Sequence, residues 1–209
     1  MARQPCEVLL VDLDGVLRVF DPGYAAAVEQ RHGLAPGSLT ETAYHWDQVF
    51  PAITGRIGHD EWLARVGAAL GAPAAVAEWG SYRGEVQTEV LDWVREVRAA
   101  GVPVAIVCNA TDRLDADLDE LGLTGEVDAV VNSSVVGYHN PAPEFFAAAC
   151  AAVATPPDRC LLVDDDHRHV AGARVCGLAA YRFSTPADLR YVRAALRADL
   201  PRPCPASGR

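Results

Sequence analysis

Four short apolar runs punctuate the chain, over residues 7–13, 102–108, 129–132 and 160–163, with a weaker fifth over 179–183. They are continuous rather than alternating, the pattern of parallel strands whose two faces are both covered by helices. Between them the apolar positions switch to a helical period. Val90, Leu91, Val94 and Val97 form one stripe within 86–100, closed by Gly101. Further helices are predicted over 113–121 before Gly122, over 144–153 after Pro143, and over 170–176 before Gly177. A last one covers 185–196 from a Thr-Pro-Ala-Asp start. Strand and helix in strict alternation predict an α/β fold, a doubly wound, Rossmann-like parallel sheet with right-handed crossovers.

Residues 19–84 break that rhythm. Helical segments are predicted over 24–32 and 60–70, no strand-like run is visible, and most of the large aromatic residues are concentrated here. The expected organisation is a core made of 1–18 and 85–209, with a small helical lobe, 19–84, inserted after the first strand. The proline-rich end, 201–209, is expected to be disordered. No internal repeat is visible.

Charge and composition narrow the partners. The net charge is −10 and no basic block or arginine–aromatic stripe occurs, which excludes nucleic acid and anionic membranes as natural partners. The opening Met-Ala-Arg-Gln-Pro-Cys has no secretory pattern, and the small-apolar run 147–154 is too short to span a bilayer. A soluble cytoplasmic protein is expected. The six cysteines lack paired spacing and are expected to be reduced and mostly buried. All 18 basic residues are arginines; the chain contains no lysine.

In open parallel sheets, ligands bind beyond the carboxyl ends of the strands. Those ends carry Asp12 and Asp14, Cys108 and Asn109, Ser133 and Ser134, and Asp164, Asp165 and Asp166. Asp12 and Asp14 as a pair are the starting equipment for phosphoryl-type chemistry. So many carboxylates in one crevice repel, and a hard divalent cation such as Mg²⁺ relieves that repulsion.

At these residues the chain resembles the haloacid dehalogenase-like superfamily, in the group with a cap inserted after the first motif. The resemblance rests on Asp12-Leu13-Asp14-Gly15-Val16-Leu17, on the stretch from Val104 to Thr111, on Ser133 to Glu144, and on Leu162-Val163-Asp164-Asp165. The cap run with Thr54-Gly55-Arg56-Ile57 is similar too. The resemblance implies that Asp12 is a nucleophile and that Asp14 protonates the leaving group and then activates water. It further implies Mg²⁺ held by the Asp12 carboxylate, the Asp14 backbone carbonyl and Asp164, with Asp165 in support. Asp14 argues against carbon–halogen cleavage.

Measured against that family, the chain departs at the groups that grip a transferring phosphoryl. Cys108 replaces a hydroxyl, neutral Asn140 replaces a lysine, Ala142 replaces an acid and His169 replaces an asparagine. Loss of one positioned oxyanion donor costs roughly 10²–10³ in rate. Arg18 is the best-placed substitute cation, followed by Arg168, while Arg113 and Arg174 fall on helix flanks. His139 and His169 are candidates to flank the site, and Asp166 and His167 read as loop residues. Cys108 lacks a base or cationic neighbour and reads as a packed thiol touching the ligand. Substrate contacts are expected from Cys108, Asn109, Asn140 and Arg18, and from Tyr44, His45, Trp46 and Arg56 of the cap.

Three functions follow, in the order these departures favour them. The first is an enzyme repurposed for specialised metabolism, displacing a sulfate or phosphate leaving group by an internal nucleophile such as an amine, with ring formation. A narrower resemblance, to the proteins of azinomycin-type pathways linked to aziridine formation, implies this chemistry. The second is a Mg²⁺-dependent small-molecule phosphatase, and the third a catalytically silent binding subunit. The expected partners are a small-molecule substrate, free or carrier-protein-bound, and a small partner subunit or a second copy.

Overall fold

Val8–Val11 forms β1, and all four side chains are buried because the sheet is covered on both faces. The computed structural model describes residues 5–196, so the expected tail over 201–209 and Cys204 lie outside the described residues. After β1 come β2 (Arg18–Val19) and five helices: α1 (Tyr24–His32), α2 (Ser38–Ala43), α3 (Trp46–Ile53), α4 (His59–Leu70) and α5 (Pro73–Gly80). The chain returns through β3 (Glu85–Val86) to α6 (Thr88–Ala99), β4 (Val104–Cys108), α7 (Leu114–Glu120), β5 (Ala129–Asn132) and α8 (Ser133–Val136). It finishes with α9 (Pro143–Ala152), β6 (Cys160–Asp164), α10 (His167–Val175), β7 (Ala179–Arg182) and α11 (Leu189–Arg193).

The main sheet is parallel throughout, in the order β5-β4-β1-β6-β7. The doubly wound α/β prediction therefore holds. Alternate residues of each strand feed two cores, as a two-residue side-chain period requires. Leu9, Val11 and Ile106 pack with Val90, Val94 and Val97 of α6, while Val8, Leu10 and Val107 pack with Phe145 and Phe146 of α9. Chain order reverses at β1, which has β4 on one side and β6 on the other. The crevice thus opens where the ends of these three strands meet.

Two expectations need correction. Val86 is not the start of a helix, and the edges of the inserted segment are not strand-free. Arg18 pairs with Val86 and Val19 with Glu85 in an antiparallel ladder at the point where the chain leaves and rejoins the core. Two residues per strand are too few to register as periodicity. The final predicted helix is also shorter. Thr185 and Asp188 make a reciprocal capping box around a 3₁₀ turn at Pro186–Asp188, and only Leu189–Arg193 continues as α-helix.

The helical lobe has its own small cores, one around Trp62, Val66 and Val76 and another around Val28, Leu39 and Ala75. Buried Glu29 accepts from the Gly37 and Leu39 amides at 2.8 Å each, which satisfies both the carboxylate and the start of α2. The lobe rests on the core through several contacts. Trp46 and Phe50 meet the His139 ring edge-on. The His59 amide donates to Asp112 Oδ1 at 2.8 Å. Gly55, at φ +69°, lies so close to Ser134 that a Cβ would stand 2.1 Å from its carbonyl oxygen.

Candidate active site

Asp12 leaves β1 with its amide bonded to Val163 O of β6 at 2.9 Å, which fixes the carboxylate at the strand-end crevice. It is buried, and so is Asp164 at the end of β6. Burial, and then the charges of Asp164 and Asp14, push the Asp12 carboxyl well above the usual carboxylate range. His169, on the first turns of α10, places Nδ1 3.1 Å from both Asp164 oxygens. One ligand atom each from Asp12, Asp164 and His169 lie within 4.8 Å of one another.

A divalent ion fits this arrangement on chemical grounds. Two carboxylates and an imidazole converge, and Asn140 Oδ1 is buried with no protein donor while the same amide donates Nδ2 to Asp164 Oδ2 at 3.2 Å. An ion's water would supply the missing donor. Asp14 is expected to offer the ion its backbone carbonyl, which leaves its side chain to turn to Arg18, and Asp165 is expected in support. Asp165 packs against Gly15, whose φ is +82° and whose Cβ, if present, would sit 2.2 Å from Asp165 Oδ2. Burial, with the Asp164 charge, raises the Asp165 carboxyl.

The Asp14 carboxylate is held by Arg18, Nε to Oδ1 at 2.6 Å and Nη2 to Oδ2 at 3.1 Å. That fork occupies both oxygens. Arg18 is itself buried, reaches Asp117 at 3.4 Å, and lies over the Phe20 ring at 5.0 Å. Arg168 instead pairs with Asp166, which caps α10 through the Arg168 amide. Arg113 is engaged with Asp117 and Glu120, and Arg174 with the Ala180 carbonyl.

Asn109 exchanges two bonds with the Asn140 backbone, at 2.9 and 2.7 Å, and so ties the loop after β4 to the loop that carries Asn140. Ser133 and Asn132 make a similar tie, to the Ala110 and Thr111 backbone. Cys108 is buried, and burial with the Asp12 and Asp14 charges pushes its thiol well up, which leaves it protonated and inert as a nucleophile. Cys150, Cys160 and Cys176 are likewise outside any disulfide.

Beyond Asp14 the crevice opens into a cavity of about 480 Å³ between core and lobe. Of the cap residues expected to meet substrate, Tyr44 borders it, but His45, Trp46 and Arg56 do not. Trp46 packs on Phe50 and His139, and Arg56 lies over the Phe50 ring at 4.8 Å. The lining adds residues that sequence reading passed over: His59, Arg83, Tyr24, Tyr82, Trp79 and Asp117. For Tyr24, Tyr82 and Trp79 the cue was the concentration of aromatics in the lobe, which by itself does not separate rings facing a cavity from rings filling the lobe.

This sheet, the motif positions and the inserted lobe define a class. The chain belongs to the haloacid dehalogenase-like hydrolases, whose family model matches residues 6–177. Among named relatives it is 30% identical over 126 residues to a ribulose-1,5-bisphosphate 5-phosphatase from Halopiger xanaduensis, an alignment covering 58% of this chain and 53% of that protein. The chain thus spans about half the length of that relative. A HAD family enzyme from Bacteroides thetaiotaomicron superposes with a TM-score of 0.77 at 19% identity, covering 91% of this chain and 99% of the other. The same enzyme in complex with magnesium and inorganic phosphate gives 0.72 at 20% identity, covering 86% and 94%. The L-2-haloacid dehalogenase of Xanthobacter autotrophicus gives 0.63 at 22%, covering 93% and 85%. Among the described residues, no helix is long and apolar enough to cross a membrane.

Proposed function

We propose that this chain is a magnesium-dependent phosphatase acting on a small-molecule phosphate monoester. The observation that carries this reading is the convergence of Asp12, Asp164 and His169 at the strand ends, with Asp14 two residues from the nucleophile. Similarity to a named phosphatase supports it. The departures legible in sequence favour displacement; the retained acids and that relative favour hydrolysis, so the order of those two readings is reversed here.

In this scheme an Asp12 oxygen attacks phosphorus, and the bond to the ester oxygen breaks with its electron pair leaving on that oxygen. Asp14 supplies the proton that the leaving oxygen takes up. Asp14 then removes a proton from water, whose oxygen attacks phosphorus and frees the Asp12 carboxylate and inorganic phosphate. Asp12 and Asp164 would hold the magnesium ion through carboxylate oxygens, with the Asp14 backbone carbonyl as the family resemblance implies and His169 orienting Asp164; the ion would offset the charge concentrated there. Asn140, in the position of the family's lysine, holds Asp164 in place with an amide but adds no charge. Turnover is therefore slower than with an ammonium there, by roughly 10²-fold. A panel of phosphate monoesters with Mg²⁺ tests the reading. Wild-type turnover should exceed background and vanish in Asp12→Asn, and a purified wild type inert on every ester would sink it.

A second reading is favoured by one observation, the neutral Asn140 amide beside Asp164. A sulfate ester carries one charge less than a phosphate ester and loses less from the missing cation. An internal amine would form the new C–N bond as the C–O bond to sulfate breaks, with the amine proton passing to a crevice carboxylate. Ring closure of this kind matches the resemblance to azinomycin-type pathway proteins. A carrier-bound substrate and a partner subunit or homodimer belong with it. Release of sulfate from an amino-alkyl sulfate, without oxygen exchange from labelled water, would establish this reading and displace the first.

A further inference from the structure

Asp14 is shared by two environments, since its side chain is about half exposed (47%) where the strand-end crevice meets the cavity. On the lobe side the walls are rings: Tyr24, Tyr44, Trp62, Trp79 and Tyr82, with Phe20 below. Both cations of the lining are already engaged. Arg18 is bonded to Asp14 and Asp117, and Arg83 Nε lies 3.4 Å from both Asp117 and Glu120. With Asp21 also present, the lining carries more acids than arginines. A second anionic group on the substrate would have to break one of these pairs and leave a carboxylate unmatched.

Among the described residues, two buried polar atoms of the lining lack a hydrogen-bond partner: Arg83 Nε, which keeps its ion pairs with Asp117 and Glu120, and His59 Nε2. His59 Nδ1 lies 3.0 Å from Thr111 Oγ1, while Nε2 is buried without a partner in a residue that borders the cavity. Burial, with the Arg83 charge, holds this imidazole below its ordinary range, so Nε2 belongs to a neutral ring. A separate observation concerns the leaving group. Because the Arg18 fork bonds both Asp14 oxygens, a proton held by Asp14 must share its oxygen with a guanidinium N–H. Esters whose leaving oxygen needs little protonation, such as aryl esters, suit that geometry best.

We infer that the substrate is a monoester with an aromatic body, carrying one polar atom that bonds His59 Nε2 and no second anionic group. This inference rests on the hydrolase reading and names the substrate class of the same site. A cavity of about 480 Å³ takes a body of two fused rings. Stacking against the wall rings is worth about 0.5–1.5 kcal/mol per pair beyond area burial.

The test separates binding from turnover by using the Asp12→Asn protein with Mg²⁺ in isothermal titration calorimetry. 2-Naphthyl phosphate should bind at least about tenfold tighter than ribulose 1,5-bisphosphate, and 6-hydroxy-2-naphthyl phosphate tighter still. The gain from the hydroxyl should disappear in the Asp12→Asn, His59→Leu double variant, with the parent naphthyl ester little affected. Tyr82→Leu, which removes a wall ring and keeps bulk, should weaken both naphthyl esters about fivefold. Equal or tighter binding of the bisphosphate overturns the inference. If the naphthyl esters bind as expected but the wild type hydrolyses none of them, the substrate class stands and the phosphatase reading fails. If the wild type hydrolyses the bisphosphate faster, the phosphatase reading stands and this inference fails.

Discussion

At the strand ends, Asp12, Asp164 and His169 are placed by backbone geometry: an amide bonded across to β6, the last residue of that strand, and the first turns of the following helix. On the lobe side of the same crevice, position comes from packing, with rings meeting Trp62 and Trp79 edge-on and arginines paired with neighbouring acids. The first region concentrates charge and leaves it to an ion to balance. The second has already balanced its charges internally. The difference teaches that the acid-rich and the ring-lined surfaces rest on separate supports in this molecule, so a change on one side should leave the other readable.

The largest effect expected outside the loss of Asp12 comes from restoring the family's cation. Asn140→Lys should raise kcat/KM for a simple phosphate monoester by about 10²-fold. An unchanged rate in a protein of unchanged Tm would show that charge is not what limits the strand-end side. Next is His169→Ala, which should weaken divalent-ion affinity about 10–100-fold by calorimetry. Binding of 2-naphthol, which has no phosphate, should be unaffected by it. If 2-naphthol binding fell in step with ion affinity, the two regions would not be separable. The smallest effect is Asp166→Ala. It removes the cap of α10, accepted from the Arg168 amide at 2.7 Å, and should cost about 1 kcal/mol of stability in chemical denaturation. Naphthyl ligands should bind as before.

The strands were legible because both sheet faces are covered, which turns Val8–Val11 and Cys160–Asp164 into unbroken apolar runs. Parallel order then brought Asp12, Cys108 and Asp164 to one edge without any further information. The lobe was harder to read. α2 is Ser-Leu-Thr-Glu-Thr-Ala, six residues of weak pattern, and α3 carries Pro51, so neither announces itself. His169 was visible as a replaced asparagine and a candidate to flank the site, but its contact with Asp164 was not, because that proximity depends on how α10 leaves β6. His59 and Arg83 had no local signal: they reach the cavity through the fold of the lobe on the core. Trp46 and Arg56 were attractive for their chemistry, yet Trp46 of α3 packs on Phe50 and His139, and Arg56, beyond the end of α3, lies over the Phe50 ring.

The short ladder of Arg18 with Val86 and Val19 with Glu85 means that the polypeptide departs and comes back within one strand spacing, about 5 Å. A gap that small can be closed by many different inserts without stretching the scaffold beneath. Residues 18 and 86 are accordingly the natural splice points for exchanging this helical lobe with that of a sister scaffold.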